Sequence, residues 1–94
     1  MKIRDIILIP YVLDKLAWKH QVSEEEVRQV LRSHPRIRFL EKGDVEGEHV
    51  YSALGQSDSG RYLIVFFIYK KTQEALVLSA RDMNAKERRR YVRR

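Results

Sequence analysis

The sequence predicts an α+β fold in the element order ααββββα, with an antiparallel β-meander packed by helices on one face. Three observations lead to this prediction. Within the stretch of residues 60–70, residues 63–68 are an unbroken run of large apolar side chains, mostly β-branched or aromatic, which is typical of a central strand. Residues 10–34 carry apolar side chains at helical spacing. After residue 35, short alternating segments are joined by short polar turns, which favours antiparallel neighbours.

The first helix is expected over residues 10–20. Pro10 is favoured in a first helical turn, and apolar side chains follow it at helical spacing. Lys19 and His20 lie at its end, where positive charge is favoured by the helix dipole. Trp18 is expected to pack in the core or at its rim.

The second helix is expected to begin directly after Ser23. Ser23 and Glu26 have the spacing of a capping box, in which each side chain bonds the other residue's backbone N–H. The helix should end near His34, because the residue before a proline, here Pro35, disfavours the helical conformation.

Four strands and a third helix are predicted in the rest of the chain. The strands are expected over residues 36–41, 49–54, 60–70 and 75–80. The helix is expected over residues 85–91, with Asp82 or Asn84 as its cap. Residues 1–9 are a short apolar segment to which no strand is assigned.

The composition predicts one small domain over residues 1–94. No cysteine is present, which excludes disulfides and thiolate metal sites and is compatible with a reducing cytoplasm. His34 and His49 have no companions at metal-ligand spacing, so no metal or other cofactor is expected. The apolar run over residues 6–9 is too short to span a bilayer, so a cytoplasmic protein without membrane contact is expected.

Positive charge is concentrated at the C-terminal end. The chain has a net charge of +6, and residues 81–94 alone contain seven basic and two acidic residues, a net +5. A localised basic segment favours a polyanion or an acidic partner, although a solvated helix face that contacts nothing is the alternative. The candidate RNA contacts are Lys19, Arg88, Arg89 and Arg90.

Three stretches of the chain resemble the BrnT family of ribonuclease toxins. They read LAWKHQVSEEEV over residues 16–27, YSALGQSDSGRYLIVFF over residues 51–67 and LSARDMNAKERRRY over residues 78–91. The three occur in the family's order and at about its spacing. This resemblance implies a compact RelE-like domain and a metal-independent endoribonuclease toxin of a type II toxin–antitoxin pair. It also implies RNA as substrate, and inhibition by a cognate DNA-binding antitoxin with which the toxin can form an oligomer.

The chain contains the groups that metal-free RNA cleavage requires. The reaction needs an acceptor for the 2′-hydroxyl proton, cations for the charged phosphorane and a proton donor for the leaving 5′-oxygen. Arg61 and Arg81 are expected at the same edge of the sheet, where two guanidinium groups can hold a phosphate. His20, Glu87 and Tyr91 are the candidates for proton transfer.

Each of these residues also has a structural interpretation. Arg81 can pair with Asp82 or with Glu87, and Glu87 can instead serve a partner within its own helix. His20 can cap or pack at a helix end. Arg61, which follows a turn, can be an ordinary exposed residue.

Two positions depart from the family that the chain resembles. Family members often carry arginine where this chain has Val50 and Leu76, so the resemblance implies a weakened or altered nuclease. The sequence is therefore consistent with two functions: a ribonuclease toxin, and a non-catalytic basic module of the same fold that binds nucleic acid or a partner. The basic segment suits RNA and an acidic antitoxin segment equally, because both are anionic.

Overall fold

The computed structural model describes residues 1–93, so Arg94, the last residue of the basic segment, lies outside it. The described elements follow the order βααββββα. The helices are α1 (Pro10–His20), α2 (Glu24–Arg32) and α3 (Ala85–Val92). The strands are β1 (Asp5–Ile7), β2 (Arg36–Glu41), β3 (His49–Gln56), β4 (Tyr62–Tyr69) and β5 (Glu74–Asp82). Seven of these elements were predicted, with bounds within about two residues of those observed.

The strands form one mixed sheet in the order β1-β5-β4-β3-β2. Strands β2 to β5 pair antiparallel with their neighbours in the chain, with β4 near the centre as expected. The prediction of a purely antiparallel, four-stranded meander is wrong, because β1 adds a parallel pair in which Ile6 lies beside Ala75. At three residues, β1 is too short for side-chain alternation to identify it in the sequence.

Helices α1 and α2 cover one face of the sheet and enclose the main core. Along β4, every second side chain points to this face, as strand geometry requires. Fully buried side chains on the two layers include Leu16, Val27 and Val30 from the helices and Leu63, Val65 and Phe67 from β4. Trp18 does not pack as predicted, because its side chain on α1 faces outward and is 73% exposed.

Helix α3 lies on the opposite face of the sheet. One cross-strand row consists of Arg36, Leu54, Ile64 and Arg81, and directly opposed residues share a face. Leu54 and Ile64 are buried in this row, while both arginines bond to α3. The prediction that all helices cover one face is therefore wrong. Since α3 contains no buried residue, its apolar pattern could not indicate which face it covers.

Local capping signals are confirmed at the start of α2. The Ser23 hydroxyl accepts a hydrogen bond from the Glu26 backbone N–H at 3.2 Å, and the Ser23 N–H donates to Glu26 Oε1 at 3.0 Å. Two donors that the first helical turn leaves unpaired are thereby satisfied. Among the helices of residues 1–93, none is long and apolar enough to cross a membrane.

Replacement of Ser23 by alanine should lower the free energy of unfolding by about 1 kcal/mol, because the α2 cap loses its acceptor. Chemical denaturation followed by circular dichroism measures the change. Ser23→Asp is the matched control, since aspartate caps helices as well as serine does. A Ser23→Ala variant as stable as the parent chain would show that the capping box contributes nothing to folding.

Candidate functional site

The predicted site residues separate into two groups on opposite faces of the sheet. The β4–β5 register pairs Leu63 with Asp82 and Ile64 with Arg81. Because side chains alternate along a strand, Asp82 points toward the α1–α2 layer and Arg81 toward α3. Arg61 bonds Asp82 on the first of these faces. The two arginines thus lie at one end of the sheet, as predicted, but their guanidinium groups do not share a face.

All the hydrogen-bond donors of Arg61 are engaged within the protein. Its Nε and Nη2 donate to the Asp82 carboxylate at 2.8 and 3.1 Å, and Nη2 also donates to the His20 carbonyl at 2.9 Å. Its Nη1 donates to the Gln21 carbonyl at 2.6 Å and to the Glu26 carboxylate at 3.3 Å. An arginine has five N–H groups, so no donor is left for a phosphate in this arrangement. Arg61 instead joins the end of α1, the start of α2 and the end of β5.

The Arg61–Asp82 contact is a charged pair. The hydrogen bond from Arg61 is the main reason that the pKa of the Asp82 carboxyl lies below its ordinary value. The same bond raises the pKa of the Arg61 guanidinium. Both groups are therefore ionised at neutral pH.

Arg81 forms a bidentate ion pair with Glu87 of α3. The Nη1 and Nη2 atoms donate to the two carboxylate oxygens at 2.8 and 2.9 Å, and Nη1 also donates to the Asp82 carbonyl at 3.1 Å. The guanidinium carbon lies 5.4 Å from the centre of the Phe66 ring. Two of its five N–H groups, on Nε and Nη2, make no hydrogen bond to residues 1–93. In contrast to Arg61, Arg81 keeps donors for a further anion.

Glu87 combines this ion pair with the capping of α3. The Asn84 side chain accepts from the Glu87 N–H at 2.8 Å, and Glu87 Oε1 accepts from the Asn84 N–H at 2.9 Å. Asn84 is therefore the cap, and Asp82, the other candidate, is the partner of Arg61. The Arg81 hydrogen bond is the main cause that lowers the pKa of Glu87. Its carboxylate is thus ionised at neutral pH, so it can accept a proton, although the lowered pKa makes it a weaker base than a free carboxylate.

Tyr91 and Arg88 pack around a single aromatic ring at the edge of this pair. The Tyr91 and Tyr62 rings meet edge to face with their centres 5.9 Å apart. The Arg88 guanidinium carbon lies 4.0 Å from the centre of the Tyr62 ring, in the range of a cation–π contact. Four predicted site residues, Arg81, Glu87, Arg88 and Tyr91, are brought together here by α3.

A second side of α3 forms a strongly cationic cleft of about 560 Å³. Its lining consists of Arg36, Lys86, Arg89, Arg90 and Arg93. No acidic side chain belongs to this lining within the described part of the chain. A concave surface with charges of one sign concentrates anions, so the cleft suits phosphates or carboxylates.

Arg89 and Arg90 of this cleft were predicted from the sequence as RNA contacts, whereas Arg36, Lys86 and Arg93 were not. Lys86 and Arg93 lie seven residues apart, on the same side of the helix as Arg89 and Arg90, and this spacing was a usable signal. Arg36 is distant in sequence, and its position depends on the sheet register. Its Nη1 donates to the carbonyls of Arg90, Tyr91 and Arg93 and so satisfies the C-terminal end of α3.

Lys19 and His20 lie on the other layer, in a smaller cleft between α1 and β5. This cleft has a volume of about 160 Å³, and Leu78 and Ser79 form its β5 side. The His20 backbone carbonyl accepts a hydrogen bond from Arg61, and His20 is also one of the residues that line the cleft. These two candidates are therefore separated from Glu87 and Tyr91 by the edge of the sheet.

Within residues 1–93, no three histidine, aspartate or glutamate side chains are grouped as a metal site requires. His34 is exposed, and His49 is partly buried on β3. The His49 ring meets Phe39 edge to face at 5.7 Å, and its Nδ1 is buried without a hydrogen-bond partner in the described chain.

Val50 and Leu76 are the two positions at which the sequence departs from the family that it resembles. They lie on the same face of the sheet as Arg81. Together with Ile68 and Ile7 they form one cross-strand row of partly buried apolar side chains. This row lies on the face of the sheet opposite the main core, and it is apolar rather than cationic.

Replacement of Arg61 by alanine should lower the free energy of unfolding at pH 7 by about 2 kcal/mol, because several paired groups lose their donor. The folded-state pKa of Asp82 lies below its unfolded value of about 4, so the pair stabilises the fold above that pH. Its contribution is lost as the pH falls through the folded-state pKa. The difference between the two chains should therefore shrink below about pH 4.

Urea denaturation at pH 7 and at pH 3 tests this expectation. Arg28→Ala is the matched control, since Arg28 forms an exposed pair with Glu24 one helical turn away and should change stability by less than about 0.5 kcal/mol. An Arg61→Ala effect no larger than that of Arg28→Ala would contradict the structural role of Arg61.

Comparison with known proteins agrees with the resemblance seen in the sequence. The model of the family described as "Ribonuclease toxin, BrnT, of type II toxin-antitoxin system" matches residues 14–87. No curated protein matches the chain. The matched segment contains Arg61, Arg81 and Glu87 and omits β1 and most of α3. The match covers more than half of the chain, which therefore belongs to the BrnT family of ribonuclease toxins of type II toxin–antitoxin systems.

Proposed function

We propose that this protein cleaves RNA internally without a metal ion, at the Arg81–Glu87 pair, and that a cognate DNA-binding antitoxin inhibits it. The observation that carries the proposal is the state of this pair. Arg81 holds an ionised carboxylate and still has two N–H groups that are unused within residues 1–93. A hydrogen-bond donor for phosphate and a proton acceptor thus lie side by side on one face of the sheet.

The proposed reaction is attack by the ribose 2′-oxygen on the adjacent phosphorus. The Glu87 carboxylate accepts the 2′-hydroxyl proton, and Arg81 stabilises the negative charge that develops on the phosphorane. The bond from phosphorus to the 5′-oxygen breaks, and Tyr91, one helical turn after Glu87, supplies the proton to that oxygen. The products are a 2′,3′-cyclic phosphate and a 5′-hydroxyl end.

The other cations are proposed to bind the RNA backbone rather than the scissile phosphate. The cationic cleft on α3 lies beside the Arg81–Glu87 pair and accepts neighbouring phosphates. Lys19 and His20 contact the RNA on the α1 side of the sheet edge. Arg61 is proposed as a positioning residue, because it fixes the end of β5 from which Arg81 projects.

A non-catalytic basic module is the second candidate, and one observation favours it. The apolar row that contains Val50 and Leu76 lies on the face of Arg81, where the family often carries two arginines. With fewer cations on this face, charge stabilisation of the phosphorane is weaker. This candidate predicts RNA binding that weakens steeply with salt and leaves the RNA intact.

The antitoxin is proposed to bear an acidic segment that competes with RNA for the cationic cleft. Arginine can donate two parallel hydrogen bonds either to a carboxylate or to a phosphate, so the five cations of the cleft can bind either ligand. Binding there would block the approach of RNA to Arg81 and account for inhibition by occlusion.

Replacement of Arg81 by alanine should reduce RNA cleavage in EDTA by at least about 100-fold, because the charge on the phosphorane loses its main counter-charge. The assay uses a mixed single-stranded RNA and detects 2′,3′-cyclic phosphate ends. Glu87→Gln should reduce cleavage comparably while preserving the shape of the side chain. A 2′-deoxy substitution at the cleavage site should block the reaction entirely.

Arg28→Ala is the control for loss of a cation distant from the site. Arg81→Lys keeps the positive charge but not the bidentate hydrogen-bond geometry, so it tests whether charge alone supports cleavage. Thermal unfolding establishes that each variant is folded. Full cleavage by folded Arg81→Ala would refute the site. Salt-sensitive binding of intact RNA by the parent chain would favour the non-catalytic module, and Val50→Arg with Leu76→Arg should then restore cleavage.

A further inference from the structure

Helix α1 presents two unusually exposed aromatic side chains on its outer side. Tyr11 and Trp18 are 72% and 73% exposed. They lie seven residues apart, which is two helical turns and about 10 Å along the axis, with Lys15 between them. We refer to Tyr11, Lys15 and Trp18 as the α1 aromatic face. A single exposed apolar residue is ordinary, but two large exposed rings on one side of a helix form a shared surface that can receive a ligand or partner.

The flat faces of these two rings are open. Neither ring stacks on another aromatic ring or lies under a guanidinium group of residues 1–93. In contrast, Arg88 covers Tyr62 at 4.0 Å, and Arg81 lies over Phe66 at 5.4 Å. The α1 aromatic face is therefore free to stack a planar ligand.

The surroundings of these rings favour an anionic ligand. Lys15, Lys19 and His20 line the small cleft at the foot of α1, together with Tyr11. Asp14, the acidic residue of α1, lies one helical turn from both Tyr11 and Trp18, so Lys15 balances its charge and Lys19 gives the helix its positive balance. Tyrosine and tryptophan are common at protein–protein interfaces as well, but lysine is depleted there, whereas aromatic rings interleaved with cations are the usual surface for single-stranded nucleic acids.

This cleft also leads toward Arg81. Its β5 side includes Ser79, which precedes Arg81 by two residues and points to the same face of the sheet. Ser79 pairs with Phe66, and the Arg81 guanidinium lies over the Phe66 ring. An RNA strand that passes from the cleft around the edge of the sheet at Ser79 would therefore approach the Arg81–Glu87 pair.

We infer that the α1 aromatic face is the binding surface for the unpaired bases of single-stranded RNA. A base stacks on Trp18 and a second base stacks on Tyr11, while Lys15 and Lys19 bind the phosphates between them. This inference rests on the proposed function, because it names the form of RNA that reaches the Arg81–Glu87 pair. A base-paired duplex is excluded, since its bases are already stacked on each other.

The single tryptophan of the chain makes the inference directly measurable. The probe is a single-stranded oligoribonucleotide with 2′-O-methyl groups, which cannot be cleaved by 2′-oxygen attack. Titration should quench the Trp18 fluorescence with the same apparent Kd as fluorescence anisotropy of a labelled probe. The same oligonucleotide annealed to its complement should produce no comparable quenching.

Variants separate stacking from charge. Trp18→Ala should weaken binding of the single strand by about 5- to 150-fold, whereas Trp18→Phe should lose less because it keeps a ring. Lys15→Ala should reduce the slope of log affinity against log salt by about 0.7. Phe39→Leu is the control, since Phe39 is 51% exposed on β2 at the far edge of the sheet.

The outcomes distinguish this inference from the proposed nuclease. Cleavage without quenching, with Trp18→Ala binding as tightly as the parent chain, would overturn the inference and leave the nuclease intact. Quenching by the 2′-O-methyl probe, together with no cleavage of unmodified RNA in the separate EDTA assay, would support the inference and refute the nuclease. Equal quenching by the duplex would overturn it, as would a Trp18→Ala variant that loses a purified antitoxin but not RNA.

Discussion

The register between β4 and β5 is the constraint on which the rest of the structure depends. Because Leu63 lies opposite Asp82 and Ile64 opposite Arg81, consecutive residues at the end of β5 point to different layers. The Asp82 carboxylate lies on the α1–α2 side of the sheet, where it fixes Arg61. The Arg81 guanidinium lies on the α3 side, where it pairs with Glu87 and holds α3. A shift by one residue would exchange these faces, bury a charge in the main core and expose an apolar side chain. The alternation at the end of β5, where Ala80 is fully buried on the main-core face and Arg81 points to the other face, opposes that shift.

Two arginines of similar sequence context acquire different chemistry from their surroundings. Arg61 meets two backbone carbonyls at the end of α1 and two carboxylates, and these acceptors saturate its five N–H groups. Arg81 meets one carboxylate and one carbonyl and lies over an aromatic ring. The number of unused donors, rather than residue type, separates a group that holds the fold together from one that is available to a phosphate.

Features determined by adjacent residues were predictable from the sequence, and features determined by register were not. The Ser23–Glu26 cap is local and was identified correctly, and the apolar run of β4 indicated a central strand. The family was also recognisable from three motifs. The strand β1 was too short to show alternation, and the face covered by α3 depended on pairing distant in sequence. Arg36 joined the cleft through strand pairing that no local pattern encodes. Trp18, by contrast, lies two residues and about 200° around the helix from the buried Leu16, so helical spacing already indicated its outward position.

The attachment of α3 affects how this surface can diversify. Its eight residues contribute no buried side chain, and it is held by Arg81 at its first turn and by Arg36 at its final carbonyls. Of these contacts, the one with Arg36 involves only the α3 backbone, which any residue supplies. Lys86 and Arg89 can therefore mutate at little cost to folding. Substitutions that tune ligand preference can accumulate on α3 without compensating changes in the core, so the helix is a natural position for sequence libraries.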